Sequence, residues 1–388
     1  MDQHQNSIVE NIDSNSLQPN LRSRASFLAG IKLWQWLLVG ATVAILMIVV
    51  RSLPKTLATP PPHFPALETP NYQALVSVTW VKALQDFHES NFQTPCPLTY
   101  HNRHYVILEA SWAALSDAKD YQRGHIPGAF HFNTDEMEDG YPTWKLRPAA
   151  ELQQLAGRYG ITSETTVVVY GSELIAAARV WWVLKYAGVA DVRLLDGGSE
   201  MWDAVGYPLE MTIQSPLPVT FTAPVSSDLL ATTDHIRKHL EDQQIWLADA
   251  RSEAEFSGRW SGYNYLDCKG RIPSSISIGS ADDSSGLYTQ GGRFGNPREI
   301  EALWRQLGIV SVGNEPRFDR EVVFYCGGGW RSSLAFFYAW LLGYENIRNY
   351  SDGWCGWSTV YVPDTMATGN TPGWSQQRTN NPTVMGNE

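Results

Sequence analysis

The stretch EVVFYCGGGWRSS, Glu321 to Ser333, places one cysteine between a strand-like run and a helix-like run. EVVFY is rich in β-branched and aromatic residues and has the length of a buried strand. The three glycines after Cys326 allow positive φ and a close approach of the backbone to a ligand. Strand, tight loop and helix in this order are typical of a parallel α/β sheet, in which ligands bind at the carboxyl ends of the strands. The sequence therefore predicts a site at Cys326.

Cys326 is predicted to be a nucleophile rather than an inert buried thiol. Backbone N–H groups at the start of a helix carry partial positive charge, and Arg331 and Ser332 add further donors. Such surroundings lower the pKa of a thiol and stabilise an anionic adduct on its sulfur. A nucleotide-binding loop is disfavoured because no Lys-Ser or Lys-Thr pair follows the glycines.

The chain contains an internal repeat. Three pairs of segments correspond in the same order: GHIPGA (124–129) with GRIPSS (270–275), TVVVYG (166–171) with EVVFYC (321–326), and LLDGGSEMW (194–202) with NYSDGWCGW (349–357). Ordered matches of this kind predict a duplication. Strand-like and helix-like runs alternate in each copy, so we expect α/β architecture with a mostly parallel sheet flanked by helices in both. The expected domains are residues 71–212 and 228–363, followed by a tail over 364–388.

The N-terminal region predicts a single transmembrane helix. Residues 33–50, LWQWLLVGATVAILMIVV, carry no charge, and as a helix they would be about 27 Å long, close to the thickness of a bilayer core. A polar, disordered tail is expected over 1–32 and a proline-rich linker over 51–70. The basic residues that flank the apolar run favour a globular part on the non-cytoplasmic side. A cleaved signal peptide, which would leave a secreted or periplasmic protein, is the alternative.

Composition excludes several classes of protein. The net charge of −11 argues against a protein that binds nucleic acid through phosphate contacts. The four cysteines, Cys96, Cys268, Cys326 and Cys355, form neither a CxxC pair nor a cluster with metal-ligand spacing. We therefore predict no metal and no cofactor.

YCGGGWRSS, GHIPGA and LLDGGSEMW together resemble the tandem-domain form of the rhodanese (thiosulfate sulfurtransferase) superfamily. The resemblance runs from near Asn71 to Pro363. It implies a ping-pong reaction in which Cys326 takes a sulfane sulfur from a small anionic donor such as thiosulfate and becomes a persulfide. A thiophilic acceptor, cyanide or a thiol, then removes that sulfur.

The resemblance also implies roles for residues around Cys326. The substrate-binding residues it implies are Arg331, Arg251, Gly327, Gly328, Gly329, Trp330 and Ser332. Asp249 is expected to order the neighbouring loops, and Arg331 to be the surest contact to the anion. Arg259 and Arg271 are further positive groups, for which surface salt bridges are the alternative.

The first copy departs from the family pattern. Gly171 stands where Cys326 stands, and EAS replaces the Asp-x-Arg segment of Asp249 and Arg251. A glycine offers no nucleophile, and no histidine lies near the adjacent Ser172 in sequence. We therefore expect a catalytically inactive domain with a structural or interface role.

Other functions stay open at this point. Cysteine-dependent phosphatases share this type of loop, but they place five residues between cysteine and arginine, where this chain has four. A mercaptopyruvate-type sulfurtransferase and a non-catalytic, membrane-tethered binding module are the remaining alternatives. Cys355 is a candidate partner of Cys326 in a disulfide, against the alternative of a packed cysteine in a Trp-rich turn.

Overall fold

The computed structural model describes residues 68–240, 244–280, 287–309, 320–364 and 373–386. The predicted polar tail and transmembrane helix, 1–32 and 33–50, lie outside these ranges, as does nearly all of the linker over 51–70. Among the helices of the described residues, none is both long enough and apolar enough to span a bilayer.

The first half is built on a sheet of five parallel strands in the order β1-β5-β4-β2-β3. Its strands are β1 (Leu75–Val76), β2 (His104–Ser111), β3 (Ala129–Asn133), β4 (Thr165–Tyr170) and β5 (Asp191–Leu195). Its helices are α1 (Val78–Glu89), α2 (Lys119–Arg123), α3 (Ala149–Arg158), α4 (Leu174–Tyr186) and α5 (Gly198–Ala204), and 3-10 turns cover Tyr72–Ala74 and Thr134–Met137. TVVVY lies in β4, which is buried along its whole length, as expected for a central parallel strand.

The second half repeats this plan with four parallel strands in the order β11-β10-β6-β7. Its strands are β6 (Ile245–Asp249), β7 (Ser275–Ser277), β8 (Thr289–Gln290), β9 (Arg293–Phe294), β10 (Glu321–Tyr325) and β11 (Ile347–Tyr350), of which β8 and β9 form a separate hairpin. Its helices are α6 (Thr233–His239), α7 (Glu253–Phe256), α8 (Pro297–Gln306), α9 (Trp330–Leu341) and α10 (Gly353–Ser358), and Ser227–Leu229 form a 3-10 turn. The predicted α/β class with parallel sheets is confirmed.

The C-terminal segment is partly ordered into a strand. β12 (Thr359–Asp364) pairs antiparallel with β13 (Gly373–Arg378), which lies in the region predicted as a tail. Further along, the backbone of Val384 exchanges two hydrogen bonds with Arg271. The end of the chain is thus attached to the second half.

The two sheets keep the same strand register. Glu109 of β2 lies opposite Tyr170 of β4, and Asp249 of β6 lies opposite Tyr325 of β10. The residue after each tyrosine is Gly171 in the first half and Cys326 in the second. The carboxyl ends of β2 and β4 therefore correspond, residue for residue, to those of β6 and β10.

The two halves share one core, in which α4 packs against α9. Trp181 lies edge to face with Phe337, with ring centroids 5.0 Å apart, and also contacts Trp340. Both helices are apolar on nearly every face because each lies between its own sheet and the other half. This packing brings α4 of the first half next to the start of α9, where the Cys326 loop ends.

Candidate active site

Cys326 lies directly after β10, and its loop is tied to α10. The carbonyl oxygen of Cys326 accepts a hydrogen bond from the amide of Trp354 at 2.7 Å, and that of Gly327 accepts one from Cys355 at 2.9 Å. The first amide groups of α9 have no acceptor within the helix, and the helix start carries partial positive charge. The amide groups that begin α9 therefore place partial positive charge beside the loop that carries the sulfur.

The three glycines of the loop have different structural roles. Gly329 has φ +84°, and a Cβ there would lie 2.7 Å from Nη1 of Arg179. A Cβ on Gly327 would collide with the hydroxyl of Tyr263, whereas a Cβ on Gly328 would meet no heavy atom within 4 Å. Packing and backbone conformation therefore require Gly327 and Gly329. Gly328 lines a cavity, where a side chain would displace a ligand rather than protein atoms.

A buried polar network fixes the loop behind the sulfur. Oγ of Ser332 lies 3.6 Å from Sγ of Cys326 and 2.7 Å from Oδ1 of Asn349. Nδ2 of Asn349 donates to the carbonyl oxygen of Gly329 at 3.2 Å and to Oγ of Ser333 at 2.9 Å. The structure thus brings Ser332 to the sulfur, as predicted, and adds Asn349, which sequence reasoning missed.

Arg331 points toward the cavity but is paired with a carboxylate. Its two terminal nitrogens each donate to an oxygen of Glu255 at 2.8 Å, and Nη2 also donates to the hydroxyl of Tyr263 at 3.1 Å. Burial alone would lower the pKa of Arg331, but the bonds to Glu255 raise it above its ordinary value. Arg331 in turn lowers the pKa of Glu255, although burial opposes this. The charge expected to attract an anionic donor is therefore largely compensated.

Arg251 is buried away from the cavity lining. Its side chain is 0% exposed, forks onto the carboxylate of Asp249, and donates to the carbonyl oxygen of Gly270 at 2.9 Å. The guanidinium also lies 5.0 Å from the ring centroid of Trp354, next to the segment that holds the Cys326 loop. Asp249 and Arg251 thus order neighbouring loops, which was expected for Asp249. Arg251 does not line the cavity, and a contact between Arg251 and a donor stays a prediction.

The first half supplies a second buried ion pair to the site. Arg179 of α4 is 0% exposed and donates to Oε1 of Glu138 at 3.1 Å and to Oγ of Ser351 at 2.9 Å. Its Nη1 lies 3.4 Å from the carbonyl oxygen of Gly329, within the loop of the second half. Glu138 also accepts a hydrogen bond from Nε1 of Trp330 at 2.9 Å. Sequence reasoning missed both residues, although an arginine inside the apolar run LIAAARVWWVL was a signal.

A cavity of about 570 Å³ lies between the halves at the Cys326 loop. Residues of both halves line it, and Cys326 itself is 0% exposed, beneath that lining. The aromatic residues of the lining are Trp112, Trp144, Trp260, Tyr263, Tyr265 and Trp330. Its charged residues are Asp135, Glu138, Glu255 and Asp352, against Lys145 and Arg331. The cavity is therefore aromatic, with more carboxylates than cations.

Trp330 is the residue of the predicted set that shapes the cavity wall. Its ring packs on that of Trp112 from the first half, with centroids 4.9 Å apart. Trp112 and Trp260 are 53% and 54% exposed, so two large rings stand at the cavity surface. This arrangement presents aromatic faces to an incoming molecule.

Of the remaining candidates, Arg259 and Arg271 lie outside the cavity lining, whereas Cys355 lines the cavity but has a thiol with a raised pKa. Arg259 is exposed, and Arg271 is buried with its guanidinium 4.6 Å from the ring centroid of Phe256. Cys355 lines the cavity. Burial raises the pKa of its thiol to about 12, and the nearby Cys326 makes a smaller contribution in the same direction. A disulfide between Cys326 and Cys355 stays a prediction.

The counterpart of the loop in the first half has no room for a cysteine. A Cβ on Gly171 would lie 2.5 Å from the carbonyl oxygen of Ala110. Ser172 is exposed and lines a smaller cavity. Neither residue reaches the larger cavity at Cys326.

The rhodanese-like domain family matches residues 102–205 and 232–359. Thiosulfate sulfurtransferase YnjE of Escherichia coli (strain K12) is 33% identical over 297 residues, which is 75% of this chain and 64% of that protein. The 3-mercaptopyruvate sulfurtransferase of Homo sapiens is 28% identical over 67% of this chain and 87% of that protein.

A solved structure also matches the fold. An EanB variant with a cysteine persulfide, in a tetrahedral intermediate state with ergothioneine, superposes with a TM-score of 0.65 at 31% identity. The match covers 74% of this chain and 69% of that one. With two matched domains, two parallel sheets in equivalent register and a cysteine loop before α9, the chain belongs to the rhodanese family as a tandem of rhodanese-like domains.

Proposed function

We propose that this chain is a sulfurtransferase that carries sulfur as a persulfide on Cys326. The observation that carries the proposal is the placement of Cys326 at the end of β10, with the start of α9 and Oγ of Ser332 beside its sulfur. Relatives named as thiosulfate and 3-mercaptopyruvate sulfurtransferases, and a related structure with a cysteine persulfide, support it.

The reaction has two steps that share one covalent intermediate. The Cys326 thiolate attacks the outer sulfur of thiosulfate, so that a new S–S bond forms while the S–S bond of the donor breaks and sulfite leaves with the electron pair. A nucleophilic acceptor then attacks the outer sulfur of the persulfide. Cyanide becomes thiocyanate in this step, and the Cys326 thiolate is released. Neither step needs a metal or a redox cofactor.

The cavity favours a second candidate for the acceptor, an organic cation. Its lining holds six aromatic residues, and outside the ion pairs of Glu255 with Arg331 and of Glu138 with Arg179 it holds two carboxylates, Asp135 and Asp352, against Lys145. Aromatic faces with nearby carboxylates bind quaternary ammonium groups through cation–π and Coulomb attraction. EanB, which is similar to this chain, is seen in complex with ergothioneine. We therefore propose sulfur transfer to an aromatic ammonium compound as the alternative to cyanide or a simple thiol.

The test is an assay with three donors and two kinds of acceptor. Thiosulfate and mercaptopyruvate are each supplied with cyanide, and a polysulfide is supplied with trimethyl histidine; the readouts are thiocyanate and thiolated product. Intact-mass measurement after donor alone should find one added sulfur atom on the wild type and none on Cys326→Ser. Cys96→Ser is the matched control, because Cys96 is exposed and does not line the cavity. Inertness towards all donors would refute the proposal and favour the non-catalytic binding module, whereas sulfur loading on Cys326→Ser would refute Cys326 as the residue that carries the sulfur.

We also propose that the segment 33–50 anchors the protein, with the rhodanese-like domains on the non-cytoplasmic side. The support is the uncharged run of 18 residues and the flanking basic residues. Protease added to intact cells should then digest the domains. Full protection would overturn this orientation, and a mature chain that begins after the segment would favour a cleaved signal peptide.

A further inference from the structure

A second cavity, of about 260 Å³, lies within the first half at the carboxyl ends of β2 and β4. Glu109, Ser111 and Ser172 line it, next to the start of α4. In the second half the equivalent place is the Cys326 loop. Because Gly171 carries no nucleophile, this pocket is suited to binding rather than to covalent chemistry.

The two halves differ in how a buried carboxylate in this position is compensated. In the second half, Asp249 is held by the guanidinium of Arg251, two residues later. In the first half the residue two positions after Glu109 is Ser111, whose hydroxyl lies 2.8 Å from Nε2 of His131 instead. The acid has thus been retained while its cation has been lost.

Glu109 is the unsatisfied group of this pocket. Its side chain is 4% exposed, and the hydroxyl of Tyr170 hydrogen-bonds to the carboxyl. Its Oε2 is buried and has no hydrogen-bond partner within the described part of the chain. A buried polar atom left unpaired costs free energy, so a ligand that donates to it gains affinity.

The rest of the pocket adds negative charge and an aromatic face. Its other charged lining residues are Asp117, Asp120 and Glu173, against Lys119, and Trp112 and Tyr121 supply rings. Lining of this kind repels the anionic donors expected at Cys326 and favours a cation.

We propose that this pocket binds a small molecule with a guanidinium or primary ammonium group, whose N–H groups donate to Glu109. The ligand would replace the guanidinium that Arg251 supplies in the second half. The volume of about 260 Å³ admits a compact molecule rather than a peptide.

Binding should depend on pH through Glu109. Burial raises the pKa of its carboxyl to about 7, against the hydrogen bond from Tyr170, and Asp120 adds to the rise. Since the ionised form binds, affinity should be about tenfold higher at pH 8 than at pH 6. The charged and titratable groups around this pocket are Tyr170 of β4, Asp117, Lys119, Asp120 and Tyr121 at and before α2, Glu173 before α4, and His131 of β3, and Asp120 is paired with Arg123.

The experiment is calorimetric titration of the full-length chain with methylguanidinium, with tetramethylammonium as a cation that has no N–H donors. Methylguanidinium should bind with the expected pH dependence, and tetramethylammonium should bind more weakly by at least tenfold. Glu109→Gln should remove the pH dependence and most of the affinity. Ser111→Arg, which restores the motif of the second half, should abolish binding by occupying the pocket.

Three outcomes would overturn the proposal: no binding of methylguanidinium, equal binding of both cations, or unchanged binding in Glu109→Gln. The pH dependence is measured on the wild type, so this part of the test holds even if a variant fails to fold. Thermal unfolding followed by circular dichroism identifies a variant that has lost its fold. Sulfur loading of Cys326 in the same preparation separates this proposal from the sulfurtransferase function.

Discussion

The two halves have the same strand register, but the turn after β4 and the turn after β10 have different surroundings. After Tyr325, the chain holds a cysteine whose loop is hydrogen-bonded to α10; after Tyr170, it holds a glycine pressed against the carbonyl oxygen of Ala110. The first half therefore lacks the space for a nucleophile as well as the nucleophile itself. The first half is therefore packed differently at this turn, so we expect that a single substitution would not create a site there.

The largest expected effect is the loss of sulfur transfer when Cys326 is replaced, and it tests this difference between the halves directly. Cys326→Ser should lower sulfur transfer by at least about 10³-fold, because hydroxyl is a much poorer nucleophile towards sulfur than thiolate. Gly171→Cys in that background should not restore activity, because its Cβ collides with Ala110. Thiocyanate formation measures both. Recovery in the double variant would show that the halves are more alike than their packing indicates.

Arg179 and Glu138 of the first half form a buried ion pair against the loop of the second half. Arg179→Met should destabilise the protein by about 3–5 kcal/mol, because Glu138 is then left buried without its cation. The double variant Arg179→Met/Glu138→Gln should lose less, since no buried charge stays unpaired. Chemical denaturation measures the free energies of unfolding.

The same variants distinguish a positioning role from a merely structural one. Nη1 of Arg179 contacts the carbonyl oxygen of Gly329, so the rate of Cys326 alkylation as a function of pH should shift in Arg179→Met. If the folded variants keep the wild-type alkylation profile, the pair supports the fold and does not position the loop.

The separation of two interacting residues along the chain decides whether the sequence predicts their contact. The strands, the helices and the place of Cys326 are encoded by local periodicity and by the strand–loop–helix unit, so they were predictable. Glu255 lies 76 residues from Arg331, and Arg179 lies 150 residues from Gly329. No local pattern records such pairs, which is why Arg331 was expected to face a donor rather than a carboxylate. The contact between Arg179 and Gly329 also requires the shared core of α4 and α9.

The two halves also differ at a buried carboxyl, because Asp249 of the second half is paired with Arg251, whereas Glu109 of the first half has Ser111 in the equivalent position. The pKa of Glu109 rises from 4.5 to about 7, so between these values the folded chain holds a proton that the unfolded chain has released. Stability should therefore fall by at most about 3 kcal/mol as pH rises through this window. Glu109→Gln should remove this component from the pH dependence of unfolding. An unchanged profile in that variant would mean that Glu109 titrates in its ordinary range.

The smallest expected effect concerns the glycines of the loop, which differ in what surrounds them. Gly327→Ala should destabilise the protein by about 1–3 kcal/mol and slow sulfur loading, because the new methyl group would displace Tyr263 from Arg331. Gly328→Ala is the matched control: its methyl group meets no protein atom, so the free energy of unfolding should change by less than about 0.5 kcal/mol. Since Gly328 lines the cavity, its effect should appear in KM for the donor or acceptor rather than in stability. Equal destabilisation by the two substitutions would contradict the packing of Tyr263 against Gly327. It would also contradict the inference that protein contacts require a glycine at position 327, whereas position 328 is constrained only by what enters the cavity.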